Sequence, residues 1–270
     1  MTHSRPAVRE LLTNRGLAPR RDLGQNFVAD PNTVRRIAHL AGIGPGDHVI
    51  EIGAGLGSLT LALAETGASV TAVEVDRGLA AALRDVVIDS RGVTIVEADA
   101  MTLDWPAVLA GHDDWVLVAN LPFNVATPLI ADLLDGVPAI TRLLVLVQRE
   151  VGERLAATAG SAAYGAVSVK VAYWASARIV GHVPAAVFVP RPNVESALVE
   201  IVRRRPPPVD AGAVYSLVRR AFGQRRKMLR RSLAGVVTDE QFAAAGVVPT
   251  ARPQDLDLGA WCRLVEATTT

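Results

Sequence analysis

Five short apolar runs recur in the first 150 residues, at 48–52, 69–75, 93–97, 115–119 and 143–147. Between them the apolar positions return at helical spacing, which predicts helices over 58–65, 78–87, 106–110 and 127–134. Ahead of the first run, Asp30-Pro31-Asn32 reads as an N-cap with proline at the first helical position, and Val34, Ile37, Ala38 and Ala41 continue that helix. Alternation of this kind predicts an α/β fold: a Rossmann-like, mainly parallel sheet with helices on both faces and ligands at the carboxyl ends of its strands.

The pattern changes after Gln148. A helix is expected over 149–157 and a second through Val167, Val171 and Trp174, followed by strands at 177–183 and 197–202 that extend the sheet in an antiparallel sense. Arg203-Arg204-Arg205-Pro206-Pro207-Pro208 reads as a stiff linker, since consecutive prolines favour an extended backbone without hydrogen bonds. Beyond it Val214, Leu217, Val218, Ala221 and Phe222 form one apolar stripe, as in a small helical domain. The expected division is 1–205 for the sheet domain and 206–270 for the helical one.

The strand ends carry candidate chemistry. Glu51-Ile52-Gly53-Ala54-Gly55-Leu56-Gly57 closes the first strand and opens a helix, so its glycines permit a tight turn and close approach of a ligand. A dinucleotide site would place its third glycine at 58, where the chain has Ser58. Glu74 ends the second strand, where a carboxylate can take both hydroxyls of a ribose, and Asp99 ends the third, placed to accept from an adenine amino group. Asn120 ends the fourth and begins Asn120-Leu121-Pro122-Phe123-Asn124. There an amide and a proline-fixed carbonyl can accept from an exocyclic amine while an aromatic ring stacks on its base. Polar acceptors on successive strand ends describe a nucleoside slot without a phosphate cradle, which suits S-adenosylmethionine better than NAD.

Composition adds a partner and removes several classes. Residues 201–232 hold ten Lys or Arg and one acidic residue, a net +9 that leaves −8 on the rest of a chain whose formal charge is +1. Arg219, Arg220, Arg225, Arg226, Lys227, Arg230 and Arg231 dominate that segment, a density that needs anions; RNA phosphates are the expected ones. Cys262 is the only cysteine, which excludes an intramolecular disulfide and a thiolate-rich metal site; the five histidines show no ligand spacing, and no metal is expected. The longest uncharged run, 115–131, is interrupted by Asn120, Pro122, Asn124 and Pro128, unlike a membrane span. A cytoplasmic monomer is expected.

Taken together, these blocks resemble the KsgA-type small-subunit ribosomal RNA adenine dimethyltransferases, whose relatives include the Erm-type large-subunit enzymes. The likeness runs through Gly24-Gln25-Asn26-Phe27, the glycine loop, Glu74, Asp99, Asn120 to Asn124, Gln148-Arg149-Glu150-Val151, Ala163-Tyr164-Gly165, 187–196 and Phe222 to Lys227. The resemblance implies that Gln25, Asn26 and Val28 border S-adenosylmethionine, with Gly53 and Gly55 under its methionine part. It further implies Glu74 on the ribose, Asp99 at the adenine, and Asn120, Leu121, Pro122 and Phe123 around the reacting amine, with Asn120 also bordering the cofactor and Phe123 and Phe188 as stacking candidates for the target base. The implied substrate is two adjacent adenosines in a hairpin loop near the 3′ end of 16S rRNA, in a small-subunit precursor. The sequence departs from the family pattern with Phe at 123, Ala at 54, Val at 28 and Arg at 191. Rival readings are an Erm-type large-subunit enzyme and a non-catalytic RNA-binding factor.

Overall fold

The computed structural model describes residues 2–20, 23–122 and 125–269. Its chain divides into two compact units, Met1–Gly152 with Arg178–Val202, and Glu153–Ala177 with Arg203–Thr270.

The first unit opens with α1 (Arg5–Asn14), which has a proline in its first turn and buries Val8 and Leu12. The expectations above had no helix here, although Val8, Leu11 and Leu12 fall at helical spacing. A two-residue strand, β1 (Phe27–Val28), precedes α2 (Pro31–Ala41). Asp30 caps α2 by accepting from the Thr33 N–H at 3.0 Å, and Gly42, at φ 57°, ends it in the left-handed conformation.

The expected alternation follows as β2 (His48–Ile52), α3 (Ser58–Ala64), β3 (Ser69–Glu74), α4 (Arg77–Val86), β4 (Val93–Glu97), α5 (Trp105–Val108), β5 (Trp115–Asn120), α6 (Ala126–Gly136) and β6 (Ile140–Gln148). Next come α7 (Arg149–Leu155), α8 (Ala166–Trp174), β7 (Ala175–Val183), the short β8 (Phe188–Val189) and β9 (Ser196–Arg203). The seven-stranded sheet has the order β4-β3-β2-β5-β6-β9-β7, and β1 pairs separately with β8. From β4 to β6 the neighbours are parallel, while β9 runs antiparallel to β6, with Arg142 opposite Val202 and Gln148 opposite Ser196.

Val49, Val116, Val118, Leu144 and Leu146 pack on one face with Val34, Ile37, Leu59 and Leu63 of α2 and α3. Ile50, Leu117 and Val145, which alternate with them, are also fully buried, so both faces of the central strands are covered. That is why these strands read as continuous apolar runs. Strand order reverses between β2 and β5, and the crevice at such a switch point is where open α/β sheets bind ligands.

In the second unit, α9 (Ala211–Phe222), α10 (Leu229–Ser232), α11 (Asp239–Ala244) and α12 (Leu258–Thr269) complete the chain. Val214, Leu217, Phe222 and Trp261 pack with Tyr164, Val169 and Tyr173. The segment 153–177, assigned to the sheet domain from sequence, therefore shares its core with the carboxyl-terminal helices. Nor is 203–208 a bare linker: β9 ends at Arg203, and the Arg204 N–H donates to the Trp174 carbonyl at 2.9 Å.

Candidate functional site

The glycine loop turns directly off β2. Gly53 and Gly55 have φ of 73° and 57°, conformations that L side chains rarely adopt. A Cβ on Gly55 would sit 3.0 Å from the Phe27 ring, and one on Gly53 would lie 3.7 Å from the Asn120 carbonyl oxygen. The loop is thus seated between the amino-terminal segment and the end of β5, tightly at Gly55, while at Gly53 the positive φ rather than lack of space favours glycine.

Glu74 holds this loop. One carboxylate oxygen accepts from the Gly55 N–H at 2.7 Å and the other from the Asp76 N–H at 2.9 Å. Each keeps a second acceptor position, as ribose hydroxyls would need. Burial raises the Glu74 pKa, opposed by those backbone N–H groups. Asp76 caps α4 by accepting from the Leu79 N–H at 3.0 Å, and Glu97 pairs with Arg77 and Arg84; both are structural.

A cavity is lined by Gln25, Asn26, Gly53, Gly55, Glu74, Asn120, Leu121 and Pro122, together with Leu23, Phe27 and Leu79. A neighbouring cavity is lined by Asp99, Ala100, Met101, Ile52, Val73, Val125 and Leu129. Leu23, Gly53, Val75 and Pro122 belong to both, so the two form one cleft. Its first half is polar at the base and its second is an apolar slot with a carboxylate at the mouth. Asp99 takes the Met101 N–H on Oδ1 at 2.9 Å, leaving Oδ2 to accept from a planar amine.

Asn120 sits at the switch point and donates through Nδ2 to the Asn26 carbonyl at 2.9 Å. Asn26 in turn donates to the Gly24 carbonyl at 3.0 Å, and the Gln25 side chain accepts from the Arg20 N–H at 2.8 Å. The Pro122 carbonyl accepts from the N–H groups of Val125 and Ala126, so it is engaged in opening α6. The Leu121 N–H belongs to the sheet, donating to Leu146, but the Leu121 carbonyl has no hydrogen bond among the described residues. Of these two carbonyls, Leu121 is the one left to receive an amine. Phe123 and Asn124 lie outside the described residues.

The side chains of two expected residues do not line the cleft. Val28 points into the core beside Val34 and Ile37, and Phe27 lines the cleft in its place. Phe188, opposite Val28 in the β1 and β8 ladder, is 1% exposed within the same apolar cluster, which leaves no ring face for an incoming base.

Two groups escaped the sequence reading. Glu51, 1% exposed at the foot of the glycine loop, has Oε2 without a hydrogen-bond partner among the described residues. Burial raises its pKa to about 8, with the Thr60 hydroxyl opposing and the Glu74 charge adding to the shift. A carboxyl beside a glycine motif gives no sequence sign of such burial. His3 donates through Nε2 to the Leu56 carbonyl at 3.0 Å, fastening the amino terminus to the loop, and burial lowers its pKa.

In the second unit all seven predicted basic residues are exposed. They do not form one continuous helix: Arg219 and Arg220 end α9, Arg225, Arg226 and Lys227 follow in turns, and Arg230 and Arg231 lie on α10. Arg220 and Arg225 donate to the carbonyls of Ala234 and Ala162, each at 2.8 Å. Among the described residues no acidic side chain forms an ion pair with any of the seven. No helix of the described chain is long and apolar enough to cross a membrane.

The family described as "Ribosomal RNA adenine dimethylase" matches residues 16–270. The "Ribosomal RNA small subunit methyltransferase A" of Cutibacterium acnes is 46% identical over 278 residues, covering 97% of this chain and 92% of the relative. Its namesake from Acidothermus cellulolyticus is 44% identical over 272 residues, covering 96% and 92%. Among solved structures, the 23S rRNA methyltransferase ErmE superposes with a TM-score of 0.70 at 25% identity, covering 90% of this chain and 100% of that one. A dimethyladenosine transferase from Plasmodium falciparum gives 0.73 at 22% identity, covering 87% and 94%, a likeness of fold.

Proposed function

The chain belongs to the ribosomal RNA adenine dimethylase family, the S-adenosylmethionine-dependent methyltransferases of rRNA adenine, and we propose that its substrate is a pair of adjacent adenosines in the hairpin loop near the 3′ end of 16S rRNA, within a small-subunit precursor. The observation that carries this reading is the junction of two features: the Asn120 acceptor and the Gly53 turn share one cavity wall, at the reversal of strand order. The small-subunit identity of the RNA rests on relatives named for that subunit.

The residues fit S-adenosylmethionine. The Gly53 and Gly55 backbone would lie under its methionine part, Glu74 would take the ribose hydroxyls, and Asp99 Oδ2 the adenine amine, with Ile52, Val73 and Met101 around the ring. Gln25 and Asn26 supply the opposing wall. When bound, the cofactor supplies an electrophilic methyl on a sulfonium.

The chain's own part is to prepare the amine. Adenine N6 is a poor nucleophile because its lone pair is conjugated with the ring. Asn120 Oδ1 and the Leu121 carbonyl, by accepting its two N–H groups, favour a tetrahedral nitrogen whose lone pair points away from both. Holding that nitrogen at attack distance contributes through orientation. No strong base is needed, since the nitrogen becomes acidic after methylation and its proton can leave through these acceptors to water.

We assign methyl transfer to the first unit and RNA holding to the basic residues 219–231 of the second. The test is incubation with labelled S-adenosylmethionine and, in separate reactions, undermethylated small-subunit particles and large-subunit RNA, each then digested to nucleosides. N6,N6-dimethyladenosine in small-subunit RNA is expected; label confined to large-subunit RNA would favour the Erm-type activity instead.

A further inference from the structure

A second recess lies on the sheet edge that carries Asn120. It is lined by 184–186 and 191–195. Register fixes its place: Asn120 lies opposite Leu146, and two residues further along β6 Gln148 lies opposite Ser196, where the recess loop ends.

The loop is rigid by construction. Pro184, Pro190 and Pro192 restrict its backbone, Phe188 and Val189 anchor it in the core, and the Arg149 N–H donates to the Glu195 carbonyl at 3.0 Å. A frame so fixed loses little conformational freedom on binding.

On this frame Arg191 and Asn193 are exposed, and Val194 is 44% exposed. The Glu195 carboxylate is engaged by Arg149 at 3.6 Å, and no acidic side chain among the described residues pairs with Arg191. A guanidinium without a counter-charge, an amide and an apolar face together match the phosphate, base edge and base face of an unpaired nucleotide.

We infer that this recess seats a nucleotide flanking the target adenosine, with Arg191 on its phosphate and Asn193 on its base edge. The inference rests on the rRNA reading above and adds that the first unit grips RNA directly beside the reaction centre.

Arg191→Ala, Arg191→Lys and Asn193→Ala in the full-length protein test it, through methyl transfer to undermethylated small-subunit particles and S-adenosylmethionine binding by calorimetry. Arg191→Ala is expected to raise KM for particles roughly tenfold with kcat within about twofold, and to lower the slope of log binding constant against log salt by about 0.7 to 0.9. Arg191→Lys keeps the slope and recovers most of the KM, because the charge remains. Asn193→Ala raises KM with the salt slope unchanged. Cofactor affinity stays at the wild-type value in all three.

An Arg191→Ala protein with wild-type KM and salt slope overturns the proposal. So does a binding loss on intact particles that is absent on isolated small-subunit RNA, since the recess would then meet a ribosomal protein. Wild-type protein inactive on particles defeats the parent reading, whereas active wild-type with an indifferent Arg191→Ala variant defeats only this one.

Discussion

The Asn120 amide is committed on one side: its Nδ2 donates to the main-chain carbonyl of Asn26 at 2.9 Å, across 94 residues of sequence. A carbonyl can only accept, so the bond fixes which way the amide faces and leaves Oδ1 as the acceptor for an incoming amine. Asn120→Ala should lower methyl transfer by a factor on the order of a hundred or more, with cofactor affinity lowered far less. Asn120→Asp should also lose most activity, because a carboxylate oxygen would then face the Asn26 carbonyl. Initial rates with tritiated cofactor check both, and a fast Asn120→Asp enzyme would remove the orienting bond from the account.

Gly55→Ala tests the loop. The position has φ 57° and an added Cβ meets the Phe27 ring at 3.0 Å. The strain and the clash should together cost about 1 to 3 kcal/mol of stability and weaken S-adenosylmethionine binding. Urea unfolding and calorimetry measure the two effects, and wild-type values in both would show that the loop is not tightly seated.

Glu51 gives the fold a pH signature. Its folded pKa of about 8 lies above the ordinary carboxylate value, so between the two the folded state binds the proton more tightly and stability falls as pH rises. Glu51→Gln removes that dependence. The variant should gain stability relative to wild type from pH 5 to pH 8, by on the order of 1 to 3 kcal/mol at the upper end. Urea midpoints across that range decide it, and parallel profiles for the two proteins would mean that Glu51 is charged throughout.

The basic face should act through phosphates. Arg226, Lys227 and Arg231 are exposed and make no side-chain hydrogen bond among the described residues, so replacing them with Ala should leave the fold unchanged. The slope of log affinity for RNA against log salt should fall by roughly 2 to 3, at 0.7 to 0.9 per lost contact. An unchanged slope in a salt titration would exclude these residues from the interface.

What was legible in the sequence followed from periodicity and strand-end chemistry. The strands from β2 to β6, the glycine turn, and the positions of Glu74, Asp99 and Asn120 at successive strand ends all carry local signals, and the cleft brings these polar groups together. Contacts distant in sequence were not legible. A two-residue strand has no period to read, so the pairing of Val28 with Phe188 was invisible, and with it the burial of Val28, although the Val-Phe-Val run around Phe188 also reads as a core strand. The capture of 153–177 by the carboxyl-terminal helices depends on Tyr164 and Tyr173 meeting Trp261 and Val214, a choice no local pattern records. Likewise, nothing in the residues around Pro122 shows that its carbonyl is already engaged by Val125 and Ala126.

The most direct measurement pairs binding with chemistry in one experiment: wild-type and Asn120→Ala proteins, each titrated with S-adenosylmethionine and then given undermethylated small-subunit particles, with modified nucleotides mapped by primer extension. The predicted result is a cofactor affinity that differs far less between the two proteins than their activity does, with stops at two adjacent adenosines near the 3′ end of the small-subunit RNA for wild type alone. Equal stops for the two proteins, or modification elsewhere in the RNA, would contradict the account.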